Sequence, residues 1–131
     1  MRFPRLLAYV LMLAGAAPTL AEPRAQVVAS GLENPWAVAF LPSGRFLVTE
    51  KLGRMRVVEA DGKLGPALPG LPQVAIGGQG GLLDVVLDSG FEANRTLYFC
   101  FSEPDTDAGG RTNSTALAKA QLCTDRSRMQ N

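Results

Sequence analysis

The sequence predicts an all-β fold made of short antiparallel strands. Apolar, strand-forming runs are each closed by a turn rich in Gly, Pro, Asp or Ser, and no stretch shows a sustained helical period. A strand–turn unit also recurs along the chain at an offset of about 46 residues. These observations favour a meander of sheets over any helical or α/β arrangement.

Individual strands follow from the runs between turn signals. They are predicted at residues 26–29, 36–41, 46–49, 55–59, 82–87, 96–102 and 115–122. Turn chemistry is recognisable in Pro-Ser-Gly-Arg at 42–45 and in Lys-Leu-Gly-Arg at 51–54. After the second turn, Met55 and Val57 alternate with two arginines, which predicts a half-buried strand with the arginines on the opposite face.

The repeat predicts propeller blades. Residues 39–44 match residues 85–90, and each copy is followed by a second apolar strand. A period of this length with three or four strands is typical of blades, although chance similarity between two strand–turn units is the alternative. A blade buries its faces only against neighbouring blades, and closure needs at least four of them. Residues 22–131 hold about two, so we expect a fragment with an exposed blade face, whose last residues begin a fourth strand.

Composition excludes several classes of function. Lys and Arg number 13 against 12 Asp and Glu, a near-neutral balance that argues against a nucleic-acid partner. The chain contains no histidine, the commonest general base and metal ligand. Any chemistry that needs an imidazole must therefore come from residues outside this chain.

The first 21 residues are predicted to be a signal peptide. Arg2 and Arg5 precede an apolar run at 6–17, and Thr-Leu-Ala at 19–21 offers small residues for cleavage before Glu22. The alternative is a membrane-spanning helix, but the run is shorter than the roughly 20 residues a bilayer requires, and Pro18 interrupts it. We expect export, with no membrane insertion after cleavage.

An oxidising compartment would allow Cys100 and Cys123 to form a disulfide. If residues 96–103 and 114–122 pair as a hairpin, however, Cys100 falls opposite a residue near Leu117. A buried, unpaired Cys100 is therefore favoured over a disulfide, which stays possible.

The glycine-rich stretch at 76–84 is the main candidate site. Four glycines surround Gln79 immediately before an apolar strand. Glycine lets a flat ligand approach the backbone, and a glutamine can donate and accept hydrogen bonds without adding charge. The alternative is a plain turn between strands. A phosphate cradle is not indicated, because these glycines precede a strand and do not join a strand to a helix.

Three further residues are weaker candidates. Glu50 ends a strand near the expected position of Gln79 and could shape the site, but a solvated strand end is favoured. Asp84 could help to hold an ion, but a structural role is favoured because a hard cation needs several oxygen ligands. Trp36 could stack on a sugar, with core packing as the favoured reading.

The sequence as a whole resembles the soluble PQQ-dependent aldose sugar dehydrogenases of the glucose/sorbosone dehydrogenase family. The resemblance covers nearly all of residues 25–122, and it rests on GLENPWAVAFLP at 31–42, FLVTE at 46–50, GGQGGLLD at 77–84 and NRTLY at 94–98. It implies a six-bladed β-propeller in the periplasm that oxidises an aldose at its anomeric carbon to the lactone. Pyrroloquinoline quinone (PQQ) would lie over the channel with calcium assisting, and an external acceptor would take the electrons.

The resemblance assigns one site residue to this chain. Gln79 matches the family glutamine that faces both the quinone and the sugar. The catalytic histidine of the family, the basic ligands of the quinone and the calcium-binding carbonyls lie in later blades. The resemblance therefore implies that this chain alone is inactive. A non-catalytic secreted propeller that binds carbohydrate or protein is the competing interpretation, and a truncated gene without a function of its own is a third.

Overall fold

In a computed structural model of the protein, which describes residues 22–105, 112–123 and 129–130, the chain forms two four-stranded antiparallel sheets. Each strand pairs with the next along the chain. The first sheet contains β1 Pro35–Leu41, β2 Arg45–Glu50, β3 Arg54–Val58 and β4 Leu64–Ala67. The second contains β5 Leu82–Leu87, β6 Thr96–Pro104, β7 Asn113–Leu122 and β8 Met129–Gln130. The all-β prediction is confirmed, and each sheet has the meander topology of a blade.

The internal repeat marks equivalent places in the two sheets. Residues 39–44 and 85–90 each cover the end of a first strand and the turn after it. The expected fourth strand of the second sheet is present as β8, which pairs with β7 through Gln121–Gln130 and Leu122–Met129.

Three elements differ from the prediction. Residues 26–29 form no strand, and Val27 and Val28 are 84% and 52% exposed. This segment runs past the Gly62 turn, where the Val28 carbonyl oxygen lies 2.2 Å from the position that a Cβ on Gly62 would take. Strand β4 was not predicted, because Gly65 and Pro66 have low strand propensity and are tolerated on an edge strand.

The second sheet also contains a single helical turn between β5 and β6. This helix, α1 Phe91–Asn94, buries Phe91 and ends at Arg95, whose φ is 57°. One turn is too short to produce a helical period in the sequence, so periodicity could not predict it. A 3₁₀ turn, Pro42–Gly44, occupies the corresponding place between β1 and β2.

The core lies between the sheets, where β1 and β2 face β5. Leu47 and Met55 from the first sheet and Leu82 and Leu97 from the second have no exposed surface. Each such side chain contributes about 1.5–3 kcal/mol relative to an exposed position. This layer fixes the second sheet against the first, and therefore fixes the loops at their ends.

A buried threonine adds a polar link between the sheets. Thr49 is fully buried on β2, and its hydroxyl donates to the Leu83 carbonyl at 2.7 Å. The same oxygen accepts from the Ala37 N–H at 3.0 Å. Because the hydroxyl is satisfied on both sides, its burial costs little, and it ties β2 to β5.

The outer faces of both sheets expose large apolar side chains. On β1, Trp36, Val38 and Phe40 are 47%, 50% and 74% exposed, and a groove of about 560 Å³ opens over this face. On the second sheet, Val86 and Leu117 are 58% and 71% exposed. This confirms the expectation that an apolar blade face lies uncovered.

The two cysteines do not form a disulfide. Both thiols are free and half-buried. Cys100 lies opposite Leu117 in the β6–β7 ladder, as the predicted hairpin register required. Cys123 follows β7, beyond that register position.

Candidate functional site

Gln79 lies at the tip of a tight turn that leads into β5. The turn closes with a bridge between Gly77 and Gly80, and the Gly80 N–H donates to the Gly77 carbonyl at 2.7 Å. Gly78, with a φ of 52°, takes the left-handed conformation that glycine adopts without strain. A Cβ added at Gly77 or at Gly78 would meet nothing within 4 Å, and Gln79 itself is exposed, so this side of the turn is open.

The second sheet holds both ends of this turn through one buried residue. Ser102 on β6 is 4% exposed, and its hydroxyl accepts from the Gly81 N–H at 3.2 Å. Its backbone N–H donates to the Gly81 carbonyl at 2.9 Å, and its carbonyl accepts from the Ala75 N–H at 2.7 Å. The segments before and after Gln79 are therefore tied to the same strand.

The first sheet also reaches the turn, through the residue after β2. The Lys51 ammonium donates to the Gly78 carbonyl at 2.7 Å, and the Lys51 carbonyl accepts from the Leu82 N–H at 3.0 Å. The ammonium also lies 5.5 Å from the centre of the Trp36 ring, a cation–π distance. Gln79 thus stands where loops from both sheets meet.

Glu50 is not the solvated strand end that the sequence predicted. Its side chain is fully buried, at 2.7 Å from Arg54 and 3.3 Å from Arg56. It also accepts from the Glu33 N–H at 2.5 Å. Alternation on β3 correctly put both arginines on one face, but only the β2–β3 register shows that this face meets the carboxylate. Glu50 ties the loop before β1 to the β2–β3 turn.

A second carboxylate completes this ionic network. Glu33 lies 2.8 Å from Arg54, and the hydrogen bond from Arg54 holds the pKa of Glu33 below its ordinary value. The same hydrogen bond raises the pKa of Arg54. An exposed pair adds little stability, so its consequence is positional: it keeps the residues just before Trp36 beside the β2–β3 turn.

The remaining candidates do not gather around Gln79 as ligands. Asp84 is exposed on β5, and no group of three or more His, Cys, Asp or Glu that could hold a metal ion occurs in the described part of the chain. Trp36 is half-exposed, so the preference for core packing is wrong for the described chain. Its ring contacts the lysine that binds the Gln79 turn.

Two residues of the site were not predicted. Lys51 was read as part of a turn, and Ser102 as the end of a strand. Neither role has a sequence signal, because each depends on a long-range contact with Gly78 or Gly81.

Within the ranges described, no helix is long and apolar enough to cross a membrane.

The assembled site presents one neutral amide on an open glycine turn at the end of two packed sheets. It has hydrogen-bonding capacity but no imidazole, since the chain lacks histidine. Such a site can recognise a polar, flat or hydroxyl-rich ligand. The fold is that of a partial β-propeller, and its glycine turn carries an exposed glutamine.

Sequence comparison identifies the family. Residues 32–131 match the profile of the family described as Glucose / Sorbosone dehydrogenase. The chain belongs to this family. It is 37% identical over 105 residues to the aldose sugar dehydrogenase YliI of Escherichia coli, and 41% identical over 108 residues to the uncharacterized protein slr1608 of Synechocystis. These matches cover 79% and 76% of the chain but only 28% and 25% of those proteins.

Comparison with solved structures gives the same result as the sequence comparison. A glucose dehydrogenase shares 40% identity with a TM-score of 0.77 over 83% of the chain and 33% of its own length. The apo aldose sugar dehydrogenase of E. coli shares 37% identity with a TM-score of 0.74 over 81% of the chain and 30% of its own. A PQQ-bound aldose sugar dehydrogenase from Streptomyces coelicolor shares the fold, with 24% identity and a TM-score of 0.65 over 79% and 30%.

Proposed function

We propose that this chain forms two blades of an enzyme that oxidises aldose sugars at the anomeric carbon with PQQ as cofactor. Membership of the glucose/sorbosone dehydrogenase family supports the sugar dehydrogenase activity. The PQQ named for one structural relative supports the cofactor. The observation that carries the proposal is the exposed Gln79, which lies on an open glycine turn held by both sheets.

Gln79 is the residue of this chain that would contact the quinone and the sugar. Its side-chain N–H donates and its carbonyl accepts, so one amide can bind a quinone oxygen and a sugar hydroxyl. The open space beside Gly77 and Gly78 fits the approach of a planar ring. Orientation of the anomeric carbon toward the acceptor is the contribution we assign to this residue.

The remaining chemistry must come from elsewhere. Oxidation to the lactone removes a hydride from the anomeric carbon and a proton from its hydroxyl; PQQ, when bound, supplies the hydride acceptor. This chain has no histidine to take the proton. Among the described residues, no three His, Cys, Asp or Glu side chains gather as metal ligands, and calcium enters the proposal through the family resemblance alone. We therefore propose that residues 1–131 alone do not oxidise sugar.

We also propose that the protein works in the periplasm and passes electrons to an external acceptor. The predicted leader at 1–21 supports export, and it lies outside the described residues. An aldose carries several uncharged hydroxyl groups, which suits a site that recognises its ligand through the hydrogen bonds of an uncharged amide.

A chimera tests the proposal. The matching segment of the E. coli enzyme is replaced by the homologous part of this chain, and sugar oxidation is measured with added PQQ and calcium. Gln79→Ala should lower kcat/KM at least about tenfold, because a hydrogen bond to the reacting ligands is lost. Gln73→Ala, an exposed glutamine in the preceding loop, should leave the rate unchanged.

Equal rates for the two variants would remove Gln79 from the site. A folded chimera that binds sugar without oxidising it would favour the non-catalytic scaffold. Turnover by the isolated 131-residue chain would contradict the proposal that it is inactive alone.

A further inference from the structure

Lys51 contacts the Gln79 turn on both sides of the glutamine. Its ammonium donates to the carbonyl of Gly78, the residue before Gln79. Its own carbonyl accepts from the N–H of Leu82, where β5 begins. One residue of the first sheet therefore bonds both the tip of the turn and its exit.

The aliphatic part of the Lys51 side chain is also closely packed. A Cβ added to Gly81 would lie 2.4 Å from the Lys51 carbonyl oxygen and 2.6 Å from its Cγ. The side chain thus passes directly over Gly81, in space that only glycine leaves free. The Trp36 ring lies 5.5 Å from the ammonium, so the head group is confined by the ring as well as by the Gly78 carbonyl.

We propose that Lys51 is a positioning residue that holds the turn in the orientation in which Gln79 meets its ligand. This inference rests on the proposed role of Gln79. A segment with four glycines has many accessible conformations, and fixing it costs conformational entropy. A charged hydrogen bond to its tip offsets that cost, and an apolar side chain of the same length would not.

Amide hydrogen exchange of the full chain, followed by NMR, tests the contact without any activity. The Gly80 N–H reports the turn, because it is bonded to the Gly77 carbonyl. Lys51→Met keeps the stem and removes the ammonium, and it should make the Gly80 amide exchange about tenfold faster. Lys51→Arg keeps a donor and should stay within about threefold of the unmodified chain.

Lys63→Met is the matched control, since Lys63 is an exposed lysine in the connection just before β4 of the same sheet. It should leave Gly80 unchanged, and equal exchange in Lys51→Met and Lys63→Met would overturn the inference. If Lys51→Met does not fold, a measurement on the unmodified chain tests the inference. Its Lys51 ammonium should give a distinct ¹⁵N signal in slow exchange with water, and a signal like that of Lys63 would overturn the inference.

The chimera separates this inference from the proposed function. If Gln79 acts through the geometry that Lys51 maintains, Lys51→Met should lower kcat/KM there, and adding Lys51→Met to Gln79→Ala should cause no further loss. If Lys51→Met loosens the turn but Gln79→Ala leaves the rate of the chimera unchanged, the positioning role of Lys51 is upheld and the proposed function of Gln79 is rejected. Additive losses would show that Lys51 acts independently of Gln79, against the inference.

Discussion

At the scale of single residues, two glycines with the same φ differ in how much space a side chain would have. Gly77 and Gly81 flank the Gln79 turn, and both have a φ of 156°. A Cβ at Gly77 would enter open space, whereas one at Gly81 would collide with the Lys51 backbone 2.4 Å away. The glycine at 81 is therefore required by packing between the sheets, and the glycine at 77 is not.

This difference predicts unequal costs for the same substitution. Gly81→Ala should lower the free energy of unfolding by about 1–3 kcal/mol more than Gly77→Ala, because only the former forces the Lys51 segment to move. Any strain from the shared φ cancels between the two variants. Urea unfolding followed by circular dichroism measures the difference, and equal midpoints would contradict the close approach of Lys51 and Gly81.

At the scale of elements, the connection from β5 to β6 is organised by one carboxylate. Asp88 accepts from the Gly90 N–H and from the Asn94 amide, both at 2.8 Å, and from the Tyr98 hydroxyl at 3.3 Å. The Asn94 hydrogen bond, followed by that from Gly90, lowers the pKa of Asp88. The charged form of Asp88 therefore stabilises α1 and the start of β6.

The sign of the resulting pH dependence follows from linkage. The folded pKa of Asp88 is below its unfolded value, so its contribution is complete above the unfolded value of about 3.8 and is lost as pH falls through the folded pKa. Urea midpoints at pH 7 and pH 3 should therefore differ more for the native chain than for Asp88→Asn. Asn94→Ala should also reduce the difference. Parallel losses in all three proteins would contradict the role assigned to Asp88.

The sequence predicted those elements that depend on local pattern. The apolar run of β5 gave Leu82–Leu87 with both ends correct, and the β6–β7 register placed Cys100 opposite Leu117. Strand β4 could not be predicted, because its Gly and Pro are acceptable only on an edge that tertiary pairing creates. For the site, the glycine pattern indicated Gln79, whereas the buried state of Glu50 depends on a contact between strands.

At the scale of the whole molecule, the uncovered apolar faces of the sheets favour association between molecules. Among the edge strands, β4 is short and carries Pro66, features that discourage edge-to-edge pairing. The outer face of β1 has no such protection, since Phe40 is 74% exposed beside a half-exposed Val38. Contiguous apolar surface of this kind promotes contact between molecules.

The chain should therefore self-associate through the β1 face, and Phe40→Lys should weaken that association. Removing one aromatic contact predicts about a tenfold rise in the dissociation constant, measured by analytical ultracentrifugation. Leu52→Lys, at a turn and 39% exposed, is the control and should change it little. Thermal stability should be nearly unchanged by Phe40→Lys, because the ring is mostly in solvent. Equal weakening by both variants would show that added charge, and not loss of the apolar face, governs association.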